Sequence, residues 1–384
     1  MTKNLPVNNS DLQSPPLKKG DLGGFSQDCG LKSPLTPLYE RGVNNFRTSS
    51  KRITLVLSIV IGVLFLTVPL YGGEYLMEML IIALWFAYLG SCWNIVGGYT
   101  GLLSLGHGTF VGIGAYTSTL LFSHLGLTPW IGMAAGSLLA TLVGVFVGYL
   151  SFRFRVRGVY FALITMAMAE ILRLIFEHSD FLGSTVGIFI GAVKGPGAAL
   201  FYQFGPKWPY YLVILGMTAG ILLVSYLIES SKLGYFLKAI KENEEAARSL
   251  GVSAIRYQIV AMALSSFFIA LGGTFYAQYR LYIRPDLVMG VHFSVDIVMG
   301  PIIGGWGTLL GPIVGSLIMT PLGELTRWLT ELIRETFRIK GLTGLHMITY
   351  GLVLVLVVRF MPNGIVGLYR KRKEMRNGYG ASKS

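Results

Sequence analysis

The sequence has few charged residues and only two cysteines, and each shortage excludes a class of protein. Asp, Glu, Lys and Arg make up 13% of the 384 residues, against roughly 25% in soluble globular domains. Hydrophobic residues make up 53%, and the mean hydropathy is +0.59. These values indicate an integral membrane protein. Cys29 and Cys92 are too few for a disulfide framework, so we predict neither a disulfide nor a metal site.

Sequence signatures of catalysis are also missing. The chain has no G-x-x-x-x-G-K-[ST] phosphate-binding loop, so it does not hold ATP by that device. It also has no cluster of nucleophile, base and orienting residue and no metal-ligand spacing. We therefore predict no catalytic residue and no cofactor, which argues against a membrane-embedded enzyme. Energy from ATP would have to come from a separate subunit.

The positive charges lie in short clusters beside apolar segments. The formal net charge is +13, but the basic residues are not interleaved with aromatic residues as in a nucleic-acid-binding domain. The clusters cover residues 153–157, 232–256 and 370–376. Because Lys and Arg are enriched in cytoplasmic loops, this pattern places all three clusters in the cytoplasm.

Apolar runs of about 20 residues, long enough to cross a bilayer, predict an all-α polytopic membrane protein with about eight full transmembrane helices. A polar N-terminal tail (1–52) is expected to be disordered, a transmembrane domain covers 53–361, and a basic tail (362–384) ends the chain. Both termini are predicted to be cytoplasmic. The predicted spans are 53–71, 75–96, 108–124, 130–151, 158–177, 208–228, 256–279 and 344–361.

One further apolar stretch, 293–320, contains Pro301, Pro312 and a GGWG turn at 304–307. Counted as a single crossing, it would place the basic C-terminus outside the cell. We therefore predict a broken or re-entrant pair of short helices, 293–303 and 308–320, entering and leaving on the periplasmic side. Irregular backbone at membrane depth is tolerated only where protein shields it, so the pair should face the bundle interior.

Glycine is abundant, with 49 residues in the chain, nearly twice its usual share of about 7%. Five pairs have the small-xxx-small spacing that lets membrane helices approach closely. A separate block of six glycines lies within 98–116 and joins the second and third predicted spans. The five spaced pairs are 108/112, 132/136, 144/148, 216/220 and 311/315.

Residues 229–256 form a charged, helix-forming loop between two apolar segments. Leu233, Ile240, Ala247 and Leu250 are among the apolar residues that recur at roughly helical spacing, so we predict a short amphipathic helix. Gly251 is a suitable residue to end that helix. An exposed helix held at the membrane surface is suited to contact with a partner protein.

The same loop contains the order E-A-A-x-x-x-G, formed by Glu245, Ala246, Ala247 and Gly251. This order resembles the coupling loop of bacterial ABC importer permeases, which docks on an ATP-hydrolysing subunit. With the glycine block and three other segments, it resembles the LivM-type permease of branched-chain or neutral amino acid ABC importers over about residues 75–370. The other three segments are ALITMAMAEILRLI (162–175), GGWGTLLGPIVG (304–315) and RFMPNGIVGL (359–368).

The resemblance implies an inner-membrane permease that works with a second, LivH-like permease, two cytoplasmic ATP-binding subunits and a periplasmic substrate-binding protein. It also implies that Glu245, Ala246, Ala247 and Gly251 carry the contact with the ATPase. A urea importer permease has closely related architecture and differs only in substrate. A secondary transporter or channel would work without an ATPase and would not need the loop.

Several polar residues within or beside the predicted spans are candidates for the substrate pathway. Glu170 and Arg173 share one helix face and form either part of the pathway or a structural ion pair. His107 could bond substrate or cap a broken helix, and Asp296 could meet an amino group or bond helix-end amides. The other candidates for the polar lining are Asn94, Tyr99, Ser104 and Tyr116.

Overall fold

The computed structural model describes residue 67, residues 73–154, 156, 158–193 and 198–337, and the short pieces 351, 355, 359 and 364–367. These residues are almost entirely α-helical. The predicted spans 53–71 and 344–361 and the two predicted tails fall outside the described residues or contribute only isolated positions to them.

The described part of the chain forms eleven α-helices and two very short strands, which pair antiparallel and bring Ile188 opposite Ile283. Two short 3-10 turns, Asp180–Leu182 and Ala198–Phe201, lie in the connection between residues 177 and 208. The helices are α1 Glu74–Thr100, α2 His107–Leu125, α3 Pro129–Arg153, α4 Val159–Glu177, α5 Trp208–Ser230, α6 Lys232–Glu242, α7 Glu244–Ser249, α8 Ala254–Arg280, α9 Pro285–Met289, α10 Val291–Gly304 and α11 Gly311–Phe337, and the strands are β1 Ile188–Phe189 and β2 Tyr282–Ile283.

The predicted all-α polytopic fold is confirmed. Each of the six spans predicted within the described residues corresponds to a helix whose ends lie within a few residues of the prediction. Among the described residues, six helical segments are long and apolar enough to cross a membrane: α1, α3, α4, α5, α8 and the combined segment Pro285–Gly304.

Helix α1 lies at the centre of the bundle, with 78% of its most apolar stretch buried. It packs against α5, α8, α10 and α11. Two polar contacts fix it to α8, because Trp85 Nε1 donates to the carbonyl of Gly272 at 2.9 Å and Ser265 Oγ donates to the carbonyl of Cys92 at 2.8 Å. Helix α4 is the opposite case, with only 22% of its apolar stretch buried.

Four of the five predicted glycine pairs lie at close helix–helix contacts. An added Cβ on Gly132 would approach the backbone of Ser118 to 2.7 Å, and one on Gly144 would meet Ser266. An added Cβ on Gly315 would clash with the Gly300 carbonyl oxygen. For Gly216 and Gly220 the prediction stays untested, because this face of α5 has no neighbour within 4 Å among the described residues.

The glycine block breaks the helix between α1 and α2. Gly101 has a φ of +77°, which ends α1 in the left-handed conformation that favours glycine. The chain then runs back alongside α1, so that the carbonyl of Ser104 accepts from Trp93 Nε1 at 2.8 Å. Leu105 N–H donates to Thr165 Oγ1 at 3.1 Å. Within this segment Leu102, Ser104 and Gly106 are buried, whereas Gly101 is exposed.

The predicted hairpin over 293–320 has its turn where expected, between Gly304 and Gly311. The prediction of two short helices is wrong for the second one, because α11 continues past Pro321 to Phe337. A proline inside a helix removes one backbone hydrogen bond but does not have to end the helix. The turn approaches the C-terminal end of α1 and the 229–256 loop, so the hairpin reaches the loop end of the bundle.

Candidate functional site

The loop between α5 and α8 folds as two helices, α6 and α7, and not as the single amphipathic helix that was predicted. Asn243 separates them in an extended conformation, with φ −157° and ψ 104°. Its side-chain Oδ1 accepts from the backbone N–H groups of Glu245 and Ala246, each at 3.0 Å. An N-cap of this kind satisfies amides that have no partner within the helix, and it fixes where α7 begins.

The predicted helix end at Gly251 is confirmed. Gly251 has a φ of +85°, and its N–H donates to the carbonyl of Arg248 at 2.9 Å. The N–H of Val252 donates to the carbonyl of Ala247 at 3.0 Å. These two bonds form a Schellman motif, in which glycine is favoured because the left-handed conformation penalises side chains. The motif gives the chain its direction from α7 into α8.

The four residues of the E-A-A-x-x-x-G order do not all face the same way. Ala247 is buried and packs with Ile240 and Ala254, so it supports the loop from within. Ala246 and Glu245 are exposed. Leu250 was predicted on the apolar face, but it is 85% exposed, because the break at Asn243 shifts the helical phase of α7 relative to α6.

A polar cleft of about 410 Å³ lies between this loop and the end of α1. Gln258 of α8 also reaches this cleft. Partial burial lowers the pKa of Lys241 below its ordinary value, with nearby Glu242 acting in the opposite direction. The cleft is lined by Thr100, Gly101 and Leu102 from one side and by residues 240–245 from the other.

Two of the candidate pathway residues lie at the same end of α1. Asn94 is buried, and both ends of its side-chain amide bond the hairpin turn: Nδ2 donates to the carbonyl of Thr308 and Oδ1 accepts from Gly307 N–H, each at 3.0 Å. Tyr99 is also buried, and its hydroxyl lies towards Ser225 of α5. Asn94 therefore positions the hairpin.

His107 and Ser104 form a buried polar group at the start of α2. The two ring nitrogens of His107 lie 2.8 Å from Ser104 Oγ and 2.9 Å from Ser265 Oγ. Both residues are fully inaccessible to solvent. The free amide of Gly108 in the first turn of α2 donates to Ser294 Oγ of α10 at 3.1 Å and not to His107. His107 ties the glycine block to α8 through the two serine hydroxyls, so its ring does not cap the helix.

The ion pair predicted between Glu170 and Arg173 is present and extends to a third residue. Arg173 contacts Glu170 at 2.6 Å and Glu177 at 2.5 Å, all on one face of α4. The side chain of Glu170 is 39% exposed, although α4 is a candidate span. Two carboxylates share one guanidinium, so this face carries a net negative charge.

Tyr116 and Asp296 lie in two further sets of contacts. Tyr116 is buried against Phe176, with ring centroids 5.1 Å apart, and its hydroxyl has no hydrogen-bond partner within the described chain. Asp296 lies half-buried on α10, where His292 and Arg327 are the titratable groups that act on it. The candidate pathway residues therefore occur in several groups and do not line one common chamber.

A cavity of about 10 Å³ beside Ser104, Thr109 and Thr165 is large enough for roughly one water molecule. Among the described residues, no three His, Cys, Asp or Glu side chains are grouped to hold a metal ion. Sequence reasoning missed Lys241, Trp306 and Thr165, whose contacts are with residues distant in the chain.

Comparison with known proteins places the chain in a family. The family model described as the permease component of branched-chain amino acid transport systems matches residues 75–358. The high-affinity branched-chain amino acid transport system permease protein LivM of Escherichia coli K12 is 27% identical over 370 residues, which are 91% of this chain and 83% of LivM. No solved structure matches the chain.

Two more distant relatives differ in their transport systems. The branched-chain amino acid permease LivH of Salmonella typhimurium is 23% identical over 73% of this chain and 91% of LivH. The autoinducer 2 import permease LsrC of Yersinia pseudotuberculosis is 25% identical over 52% of this chain and 57% of LsrC. Since the family model covers most of the chain, the protein is a multi-pass membrane protein that belongs to the family of branched-chain amino acid transport system permease components and is of the LivM type.

Proposed function

We propose that the chain is the transmembrane subunit of an ATP-driven importer for branched-chain or other neutral amino acids, in which a separate ATPase drives alternating access through residues 229–256. The observation that carries the proposal is the geometry of α7. An asparagine cap at one end and a Schellman motif at the other fix α7, on which Ala246 is exposed. A rigid surface helix of this kind can seat on a partner and transmit its movement.

The proposed complex contains a second, LivH-like permease, two cytoplasmic ATP-binding subunits and a periplasmic substrate-binding protein. Membership of the permease family supports partner subunits in general. On α4, the net negative face around Arg173 supports a protein or aqueous neighbour, because an exposed carboxylate such as Glu170 is costly against lipid.

We propose an inner-membrane topology with the 229–256 loop and both termini in the cytoplasm. The basic residues of the loop support this orientation through the positive-inside rule. Gly364, just before the basic tail, lies against Gly305 in the hairpin turn. This contact supports a C-terminus on the same side as the loop.

Among the candidate pathway residues, we propose that Asp296, Tyr99 and Tyr116 are the ones able to meet substrate. Asp296 is half-buried, and the hydroxyl of Tyr116 has no hydrogen-bond partner among the described residues. Tyr99 is next to Thr100, which lines the polar cleft. Because a zwitterion must bind weakly enough to leave, a full set of ionic partners is not expected. The contacts of Asn94, Ser104 and His107 support a role in holding the fold.

The test is uptake of radiolabelled leucine, alanine and urea by proteoliposomes that contain the full complex. We expect uptake of leucine or alanine, competed by the unlabelled amino acids, and no uptake of urea. Uptake of urea alone would make the chain a urea importer permease. Uptake of leucine by the two permeases without any ATPase would make the system a secondary transporter or channel.

A further inference from the structure

Three segments that are distant in sequence meet at the C-terminal end of α1. The first is the last turn of α1, which contains Gly97 and Gly98. The second is α6 of the loop, which contributes Lys241. The third is the hairpin turn between α10 and α11, which contributes Trp306 and Gly307. We call this meeting point the α1 junction.

The contacts at the α1 junction satisfy carbonyl groups that a helix end leaves without partners. The last four carbonyls of an α-helix have no intrahelical donor, and those of α1 include Gly97 and Gly98. Trp306 Nε1 donates to the carbonyl of Gly97, and Lys241 Nζ donates to that of Gly98 at 2.9 Å. A cation is also favoured at this end by the helix dipole.

The packing at the α1 junction leaves no room for side chains on the glycines. An added Cβ on Gly98 would come within 2.9 Å of Gly307 Cα. An added Cβ on Gly307, where φ is +75°, would come within 2.8 Å of the Gly98 carbonyl and 3.0 Å of Lys241 Nζ. The position of Lys241 and that of the hairpin turn are therefore defined by the same few atoms.

From this convergence we propose that Lys241 is a positioning residue that links the 229–256 loop to the α10–α11 hairpin, so that movement of the loop is passed to the hairpin through the end of α1. The inference rests on the proposed function, because it requires an ATPase that moves the loop. Asn94 completes the link, since its amide holds the turn at Gly307 and Thr308 to α1.

The surroundings of Lys241 favour a contact that can break and re-form. Its side chain also lines the polar cleft of about 410 Å³, where water can solvate the ammonium group once it leaves the Gly98 carbonyl. The contact is lost when α6 moves so that Lys241 Nζ and the Gly98 oxygen, now 2.9 Å apart, separate to about 3.6 Å. The hairpin turn is continuous with α10, which contains the half-buried Asp296.

The test compares Lys241→Met with a matched control, Lys238→Met. Lys238 lies on the same helix and has the same charge, but it pairs with Glu229 at 2.8 Å and does not contact the α1 junction. Both variants are assembled into the full complex in proteoliposomes. Two quantities are measured: the stimulation of ATP hydrolysis by substrate-loaded binding protein, and ATPase-subunit retention on purified permease.

A cysteine at the exposed residue Leu310 reports on the hairpin turn. It is introduced with Cys29→Ser, while Cys92 is buried and stays in place. Its rate of maleimide labelling is measured without nucleotide and with ATP and vanadate. We expect the rate to depend on nucleotide in the otherwise wild-type complex and in Lys238→Met, and to lose that dependence in Lys241→Met.

In Lys241→Met we expect retention of the ATPase subunits to be unchanged. The stimulation of ATP hydrolysis should fall about tenfold, because the variant loses the charge-assisted hydrogen bond to Gly98. The inference would be overturned if Lys241→Met kept both normal stimulation of hydrolysis and nucleotide-dependent labelling. It would also be overturned if labelling in the wild-type complex did not depend on nucleotide. If Lys241→Met does not assemble, Trp306→Phe removes the neighbouring contact, and an unaltered response there would overturn it equally. Absence of ATP-driven uptake by the wild-type complex would instead refute the proposed function.

Discussion

Replacing Gly251 with valine should weaken docking of the ATPase by an amount that the backbone geometry sets. Gly251 has a φ of +85°, and nothing lies within 4 Å of an added Cβ. The cost therefore comes from the left-handed backbone and not from a clash, and it is about 1–2 kcal/mol for an ordinary L-residue. That cost corresponds to a factor of about 5–30 in the ratio of the native loop to other loop conformations.

The apparent Kd for the ATPase subunits should rise by up to this factor, because only the native loop docks. Titration of labelled ATPase subunit onto purified permease in detergent measures the change. Gly251→Asn is the matched control, since asparagine tolerates the left-handed region far better than valine. An unchanged Kd in Gly251→Val, or an equal loss in Gly251→Asn, would refute the role of the Schellman motif in presenting α7.

The remaining predictions concern the docking face, the helix packing, the topology and the pathway. Ala246→Arg should abolish ATPase binding and uptake while membrane insertion is retained, because Ala246 is exposed and close approach of a partner needs a small residue; normal pull-down would contradict this. Gly304→Leu should lower the free energy of unfolding in detergent by roughly 1–3 kcal/mol through overpacking, because an added Cβ would meet Gly311. Gly220→Leu in the purified chain should have little effect, because its added Cβ meets no described residue. Cysteines at the positions of Arg327 and Lys371 should label from opposite sides of the membrane, and labelling from one side would refute the hairpin. Asp296→Asn should reduce uptake more than Glu170→Gln, because Glu170 already pairs with Arg173 at 2.6 Å; full activity of the Asp296 variant would remove that residue from the pathway.

The positions of the spans could be predicted from the sequence because length and hydropathy alone define them. Helix α3 was predicted at 130–151 and is found at Pro129–Arg153. The extent of α11 could not be predicted in this way, since Pro321 and the polar residues after it suggest an end while the helix continues to Phe337. Whether a glycine pair meets another helix also depends on tertiary packing, and the face at Gly216 has no neighbour within 4 Å among the described residues.

The local geometry of the loop was partly predictable, and its long-range contacts were not. Glycine after an amphipathic segment is a recognised helix end, and Gly251 fulfils that role. The phase break at Asn243 was missed, and Leu250 was therefore assigned to the wrong face. The contact of Lys241 with Gly98 joins segments far apart in the chain, and no local pattern in one sequence reveals such a pairing.

The central claim, that this chain imports amino acids through an ATPase held at the 229–256 loop, is tested most directly by accumulation of labelled leucine against its own gradient. Proteoliposomes would contain the two permeases and the ATP-binding subunits, with binding protein and leucine on the opposite face of the membrane. The account predicts accumulation with ATP, none with a non-hydrolysable analogue, and none with Ala246→Arg. Accumulation without ATP, or equal accumulation by Ala246→Arg, would contradict it.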